Sequence, residues 1–336
     1  MAPYVASLER ELDFAASSFG FSALSTVYLG GGTPSLLPPE LMTRLLGKAW
    51  SLFERTSEAE VTLEANPAST DPARLAAWRA AGVNRLSLGV QGFDPRALAV
   101  LERRTDGSQA TRAVREARAE GFENLSLDLI YGVPYQTIES WRQTLLRAID
   151  LRPDHLSCYC LGFEEGTPLH LQLQKGSIQA VEPDTQWEFL DVTETTLQEA
   201  GFSRYEVSSW ARPGRESRHN RAYWRCRPVY GAGCGAHSYQ PYAGGAKRWW
   251  NVASPAEYIR SQDFSAGFED LDEDGAGAER VMLGLRSTEG VTPPPGFERV
   301  LGDLEEAGLV RFEPGGRVVP TRRGLDLHSQ VAMAVL

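Results

Sequence analysis

The chain has 336 residues, 42% of them hydrophobic, and a formal net charge of −10 at pH 7. This size suits a globular protein with one large core and a smaller appended domain, and the acidic balance argues against nucleic acid or an anionic membrane surface as the partner. Because no apolar run could span a bilayer and the N-terminus lacks the pattern of a signal peptide, we expect a cytoplasmic protein that is not an integral membrane protein.

Hydrophobic periodicity predicts strands and helices that alternate along the first half of the chain. A helix over residues 4–19 opens the chain, and a strand over 26–29 runs into a glycine turn. The next strands cover 60–64, 83–90, 125–131 and 154–160, and the helices cover 39–53, 71–82, 108–121 and 137–151, with N-caps at Asp71 and Asp94. Five strand-helix units at spacings of roughly 25 to 40 residues predict an α/β fold, a complete or partial (β/α) barrel.

Polar residues or glycines stand at the end of each predicted strand. The first strand is followed by Gly30, Gly31, Gly32 and Thr33, and the later strands carry Glu64, Gln91, Asp128 and the segment 159–162. The glycines allow positive φ and let the backbone approach a ligand closely. Since the C-terminal ends of parallel strands meet on one face, we expect these residues to share a pocket. Either carboxylate alone could instead have a structural role, bonded to a loop amide or an arginine.

Four sequence blocks resemble those of the radical S-adenosylmethionine (SAM) family. They are Gly30-Gly31-Gly32-Thr33-Pro34-Ser35, Glu64-Ala65-Asn66-Pro67, residues 85–91 (RLSLGVQ) and residues 128–134 (DLIYGVP). They are most similar to the branch that contains the oxygen-independent coproporphyrinogen III dehydrogenases and the HemW heme chaperones. The resemblance implies a partial (β/α) TIM-like barrel. It also implies that SAM lies along Gly31, Gly32, Thr33 and Glu64, and that Gln91, Arg103, Asp128 and Gly162 line the same cavity.

One element of the family is missing from this sequence. The resemblance implies a [4Fe–4S] cluster held by a CxxxCxxC loop after the first strand, but Cys158, Cys160, Cys226 and Cys234 do not have that spacing. Because residues 4–19 match the helix that follows the cysteine loop, we expect that the first strand and the loop were lost by truncation of the gene model. The alternative is a relative that has lost the cluster and its radical chemistry. In either case the barrel is expected to have an unpaired edge strand and poor solubility.

Residues 212–227 suggest a porphyrin ligand. Six arginines, Arg212, Arg215, Arg218, Arg221, Arg225 and Arg227, surround a histidine and two aromatic residues. Such groups could bind propionates and iron, although a surface loop whose histidine bonds to the barrel would have the same composition. His219-Asn220-Arg221-Ala222-Tyr223-Trp224 resembles the HNxxYW motif of the HemW branch. This resemblance implies heme bound by His219, Asn220, Tyr223 and Trp224, with His219 as the ligand to iron.

A second short segment resembles the family near SAM. Residues 231–238 (GAGCGAHS) are similar to its small-residue turn, which implies that His237 approaches SAM and that Cys234 is a packed small residue. Further on, the acidic run 269–277 predicts a linker or a domain edge, and two helices over 279–285 and 296–307 with a hairpin over 309–320 predict a winged-helix-like α+β module. Because acidic residues lie nearby, we expect a lid or docking role for it and not DNA binding.

These features predict three domains and leave two functions open. Residues 1–180 form the barrel, 181–265 an extension with the heme segment, and 266–336 the C-terminal domain. In the first function, a heme chaperone binds SAM, a cluster and heme and delivers heme to a respiratory or membrane protein. In the second, an oxygen-independent coproporphyrinogen III dehydrogenase cleaves SAM to a 5′-deoxyadenosyl radical that attacks the propionates. The HNxxYW motif favours the chaperone.

Overall fold

The computed structural model describes residues 1–20, 23–103 and 107–336. Its largest sheet contains β1 (Ala23–Leu29), β2 (Glu54–Ala65), β3 (Arg85–Gln91), β4 (Leu125–Tyr131), β5 (His155–Cys160), β6 (Ser203–Glu206) and β7 (Ser209–Ala211). The strand order is β1-β2-β3-β4-β5-β7-β6. Strands β1 to β5 pair in parallel, and the β6–β7 hairpin continues the sheet in antiparallel pairing beside β5. The predicted partial (β/α) barrel is confirmed.

Within the described residues, one α-helix precedes the parallel strands, five lie between them and two follow β5 before β6. They are α1 (Ala2–Ser18), α2 (Pro39–Leu52), α3 (Pro72–Ala80), α4 (Pro95–Val100), α5 (Gly107–Ala119), α6 (Ile138–Asp150), α7 (Pro168–Gln174) and α8 (Pro183–Glu199). The two predicted N-caps are confirmed, since the side chains of Asp71 and Asp94 accept the amides of Arg74 and Arg96, each at 2.9 Å. Both helices have proline in their first turn, where no amide donor is needed.

The barrel strands have one apolar and one polar face. On β3, Leu86, Leu88 and Val90 are buried in the main core with Trp78 and Trp141 of the surrounding helices. Side chains alternate along a strand, so the intervening residues point the other way, into the curled sheet. On β3 these inward residues are Arg85, Ser87, Gly89 and Gln91. The interior of the barrel is therefore polar.

The rest of the chain adds a helix beside the barrel, two small sheets and a helical C-terminus. These elements are α9 (Arg218–Trp224), β8 (His237–Tyr242), β9 (Gly245–Asn251), α10 (Pro255–Arg260), β10 (Ser265–Leu271), α11 (Glu273–Gly284), α12 (Glu298–Glu306), β11 (Val310–Glu313), β12 (Arg317–Pro320), α13 (Arg322–Asp326) and α14 (His328–Val335). The predicted order of two helices and a hairpin is confirmed for α11, α12 and β11–β12. Among the helices of the described ranges, none combines the length and hydropathy that a membrane span requires.

One sequence-based expectation is wrong. The acidic run 269–277 is not a linker, because it ends β10 and begins α11. Its Glu269 pairs with Arg248 of the neighbouring strand at 2.6 Å, and Asp272 caps α11 by accepting the Gly275 amide at 2.8 Å. The division into three domains stays a prediction.

Strand β1 forms one edge of the seven-stranded sheet. Within the described residues it pairs with β2 alone, with Val27 beside Val61. The expected edge strand is thus present at this position. Residues 23–29 also line the larger of the two cavities described below.

Candidate functional site

The polar strand ends meet in a cavity of about 310 Å³ inside the curled sheet. Its walls include the predicted residues Gly32, Thr33, Glu64, Gln91, Arg103 and Asp128. Tyr159, from the predicted segment 159–162, also lines it, whereas sequence reasoning missed the other polar wall residues Tyr28, Arg85, Ser87, His155 and Ser157. The volume lies at the lower end of the range of about 300–1,000 Å³ that is common for small-molecule sites. The predicted convergence of strand ends on one pocket is confirmed for these residues, but Gly30, Gly31 and residues 160–162 do not line it.

The glycine turn is hydrogen-bonded to the Glu64 side chain. Gly31 and Gly32 have φ values of +77° and +61°, which other residues rarely adopt. The Gly31 amide donates to Glu64 Oε2 at 3.2 Å, and the Tyr28 hydroxyl donates to Oε1 at 2.6 Å. A Cβ atom at Gly30 would lie 2.5 Å from the Tyr28 ring. A side chain larger than hydrogen would therefore disturb each of the three glycine positions.

Gln91 has a strained backbone at the end of β3. Its φ is +66°, and the pairing with β4 shifts register between Gly89 and Gln91. A Cβ at Gly89 would lie 3.0 Å from Gln91 Nε2, so this glycine leaves room for the glutamine side chain. Positive φ at a residue other than glycine costs about 1–3 kcal/mol and is concentrated at functional sites. The strain is consistent with a ligand-binding role for Gln91 in the cavity that it lines.

The Asp128 carboxyl is surrounded by hydroxyl groups. The Ser87 hydroxyl lies 3.0 Å and 3.2 Å from its two oxygens, and Ser157 also bonds to it. Burial raises the pKa of Asp128 above its ordinary value, although the two serines and the Arg85 guanidinium act in the opposite direction. Burial therefore favours the protonated form of this carboxyl, which can donate a hydrogen bond to a ligand, more than it would for an exposed aspartate.

A second cavity of about 1510 Å³ lies next to the first. The two share a wall formed by Tyr28, Gly32, Thr33 and Pro34, which we call the shared wall. Apolar side chains of α1 and α2 line the large cavity, among them Leu8, Leu12, Leu45 and Leu46. Of the predicted residues, Gly31, His219, Tyr223 and His237 lie on its surface, whereas Gly162 lines neither cavity. His237 packs beside Trp250, with 6.0 Å between ring centroids.

His219 is fixed against β1 next to the shared wall. Its Nδ1 atom lies 2.9 Å from Thr26 Oγ1, and its ring stacks on Tyr28 with 4.9 Å between centroids. Burial, assisted by the positive charge of Arg85, lowers the pKa of His219 to about 4. The imidazole is therefore neutral at pH 7. Thr26 occupies one of its two nitrogens, and the other is available for a ligand.

The backbone of α9 is anchored on β2. The amides of Arg218 and His219 both donate to the carboxylate of Glu60 at 3.1 Å, and Glu60 is 6% exposed. Ser217 caps the helix by accepting the Asn220 amide at 3.2 Å. A carboxylate at the first turn of a helix satisfies amides that have no partner within the helix. Glu60 therefore determines where His219 sits relative to the barrel.

The other residues of the HNxxYW motif are divided between different environments. Asn220 lines the small cavity. Tyr223 lines the large cavity, is 41% exposed and stands edge-on to His219 at 5.1 Å. Trp224 lines neither cavity, and the Arg286 guanidinium lies 4.5 Å over its ring. The structure thus brings His219, Asn220 and Tyr223 to the cavities and packs Trp224 away from them.

Several arginines of residues 212–227 are neutralised within the protein. Ion pairs join Arg221 and Arg225 to Glu289, each at 2.7 Å, and Arg215 to Asp154 at 3.9 Å. Arg218 and Arg227 line the large cavity and make no ion pair with any residue that the structure describes. The predicted anion-binding group is reduced to these two at the cavity.

The described residues do not fit a [4Fe–4S] cluster. Cys158 is buried and Cys160, two residues further along β5, is exposed, and Cys234 Sγ lies 3.4 Å from the Tyr4 hydroxyl. Within residues 1–20, 23–103 and 107–336, no three His, Cys, Asp or Glu side chains are grouped as metal ligands. We therefore derive no chemical step through a cluster.

The chain is similar in sequence to known proteins. Residues 3–148 match the Radical SAM superfamily. The chain is 39% identical to the heme chaperone HemW of Mycobacterium tuberculosis, over 99% of this chain and 86% of that protein. It is 32% identical to the heme chaperone HemW of Bacillus subtilis, over 99% of this chain and 91% of that protein.

A solved structure shares the fold. Coproporphyrinogen III oxidase (HemN) from Escherichia coli matches with a TM-score of 0.82 at 24% identity, over 99% of this chain and 82% of that one. The agreement extends from the barrel to the C-terminal elements, and it establishes the architecture. The identity to the two chaperones, over 86% and 91% of their length, shows that the chain belongs to the radical SAM superfamily and, within it, to the HemW family.

Proposed function

We propose that this protein is a heme chaperone that binds SAM in the small cavity, binds heme through His219 in the large cavity, and passes the heme to a respiratory or membrane protein. The proposal rests mainly on His219. Its imidazole is neutral at pH 7, is held in orientation by Thr26 and lies on the wall of a large cavity. The identity to the relatives from Mycobacterium tuberculosis and Bacillus subtilis, both heme chaperones, supports the same function.

His219 has the properties of an axial ligand to heme iron. Imidazole binds metal in its neutral form, and a pKa of about 4 keeps it neutral at pH 7. The contact of Nδ1 with Thr26 Oγ1 fixes the ring orientation and leaves Nε2 for the iron. Stacking on Tyr28 limits rotation of the ring.

The large cavity suits an apolar macrocycle with anionic arms. Its volume of about 1510 Å³ exceeds the range that is common for small-molecule sites. Leucines of α1 and α2 would cover the porphyrin plane, and Tyr223 would contact its edge. Arg218 and Arg227 lie on the same surface and would pair with the propionates.

The small cavity suits a ligand that carries both positive and negative charge, as SAM does. Gly31 and Gly32 let the backbone approach the methionyl end, and Glu64 would accept hydrogen bonds from its ammonium group. Gln91 and Asp128 would bind the ribose hydroxyls or the adenine ring. In the superfamily, SAM with a cluster supplies a 5′-deoxyadenosyl radical. The residues named here would bind and orient SAM.

Heme titration of the purified protein tests the proposal. The wild type is expected to bind one heme per chain with a Soret band, and His219→Ala is expected to lose it. His170→Ala is the matched control, because His170 lines neither cavity and its Nδ1 contacts the Phe163 carbonyl at 3.1 Å. Equal heme uptake by the His219→Ala variant would overturn the proposal. Turnover of coproporphyrinogen III with consumption of SAM would instead support the dehydrogenase.

A further inference from the structure

Arg85 is a buried arginine that the protein itself does not satisfy. It is 2% exposed and stands at the first position of β3. Its Nε atom has no hydrogen-bond partner, and within residues 1–20, 23–103 and 107–336 its guanidinium makes no ion pair. Leaving a buried donor unpaired costs about 1–3 kcal/mol, and more when it is charged. The unpartnered guanidinium therefore lowers the stability of the folded protein, and an anionic group of a bound ligand would supply the missing partner.

The surroundings of Arg85 offer donors to an anion. The guanidinium lines the small cavity from the inner face of the sheet. Its neighbour in the sheet register is Thr62, which is fully buried and whose Oγ1 atom also has no hydrogen-bond partner. Residues that are paired in a parallel sheet point to the same face. Two unsatisfied polar side chains therefore stand side by side on the inner face of the sheet, and of the two Arg85 lines the cavity.

Arg204 shows how the same protein satisfies a buried arginine when no ligand is involved. Its side chain is 4% exposed, almost as buried as that of Arg85. Its Nε atom, like that of Arg85, has no hydrogen-bond partner, but its terminal nitrogens pair with Asp326 and donate to the Val207 carbonyl at 2.8 Å. The difference between the two arginines therefore lies in the terminal guanidinium nitrogens, for which Arg85 has no such partner among the described residues.

We propose that Arg85 binds a carboxylate group of the ligand in the small cavity. A carboxylate accepts two parallel hydrogen bonds from a guanidinium group. A group with a single negative charge fits better than a phosphate, because Glu64 and Asp128 line the same cavity and would repel a higher charge. This inference rests on the proposed function, under which the methionyl end of SAM in this cavity supplies the carboxylate. A heme propionate that reaches past the shared wall, and so does not pair with Arg218 or Arg227, is the other source that the test distinguishes.

Binding calorimetry of Arg85→Met distinguishes the two sources. Four ligands are compared: SAM, decarboxylated SAM, heme and heme dimethyl ester. For the ligand that supplies the carboxylate, we expect Arg85→Met to weaken binding by about 30-fold or more, since it removes one partner of a buried charge pair. The variant and the wild type should bind the analogue without the carboxylate equally. Arg85→Lys should restore part of the affinity. Equal binding of all four ligands by Arg85→Met and wild type would overturn the inference.

Thermal unfolding distinguishes carboxylate binding by Arg85 from a structural role of this residue. It also tests Arg85 independently of whether the protein binds SAM or heme. Without ligand, Arg85→Met is expected to unfold at the wild-type midpoint or above it, whereas Arg204→Met should unfold at a lower temperature. Sodium acetate, compared with sodium chloride, should raise the midpoint of the wild type and not that of Arg85→Met. If the wild type bound neither SAM nor heme, the proposed function would fail, and the acetate comparison would still decide the role of Arg85. An equal acetate effect on both proteins would contradict it.

Discussion

Glu60 is expected to hold α9, and with it His219, on the barrel. Its carboxylate is 6% exposed and accepts the amides of Arg218 and His219, both at 3.1 Å. Glu60→Gln keeps the side-chain size but removes the charge and replaces one acceptor oxygen by a donor. Hydrogen bonds to a charged group contribute about 1.5–3 kcal/mol each, and a buried amide without a partner costs about 1–3 kcal/mol. We therefore expect the free energy of unfolding to fall by about 2–4 kcal/mol.

Urea unfolding followed by circular dichroism measures this loss. A heme titration of the same variant measures its consequence, and we expect a lower heme affinity because α9 carries His219. Glu58→Gln is the matched control, since Glu58 is exposed on the same strand and contributes its backbone carbonyl to Arg218. If Glu60→Gln changed the free energy of unfolding by less than about 0.5 kcal/mol, as surface substitutions do, this explanation of α9 would be refuted.

Three further predictions concern the glycine turn and His219. Thr26→Val removes the partner of His219 Nδ1 and should weaken heme binding about 10- to 100-fold in a titration, whereas an unchanged affinity would exclude a fixing role for Thr26. Gly30→Ala places a Cβ 2.5 Å from the Tyr28 ring and should weaken SAM binding in calorimetry, while Gly47→Ala, with no atom within 4 Å, should bind like the wild type. Because the pKa of His219 is lowered to about 4, heme retention followed by absorbance should be constant from pH 7 to 5 and fall as the pH passes through 4. The unfolded imidazole takes up its proton near pH 6.5, so the contribution of His219 to stability is lost as the pH falls from about 6.5 to 4, and His219→Gln should remove this dependence from pH-dependent urea unfolding.

Features that depend on nearby residues could be predicted from the sequence. The caps at Asp71 and Asp94 are local hydrogen bonds, and both are present. The strand ends could be placed in one cavity because parallel strands that alternate with helices have their C-terminal ends on one side. The glycine turn and Glu64 met this expectation, with the Gly31 amide bonded to the carboxylate.

Features that depend on distant residues could not be predicted. Arg85 was missed because it begins a strand, and its long side chain reaches the cavity from below the strand ends. The period-two alternation from Arg85 to Gln91 was the available signal. The end of β10 could not be distinguished from a linker in the acidic run 269–277, because its Glu269 is stabilised by Arg248, 21 residues away. The position of Trp224 depends on Arg286, which the motif does not include.

The iron ligand of bound heme tests the central claim most directly. His219→Gly opens space for a free imidazole molecule, so the heme spectrum of this variant can be recorded with and without added imidazole. We predict that the variant loses the Soret band of the wild type and that imidazole restores it. A wild-type spectrum for His219→Gly without imidazole would show that another residue binds the iron and would contradict the account.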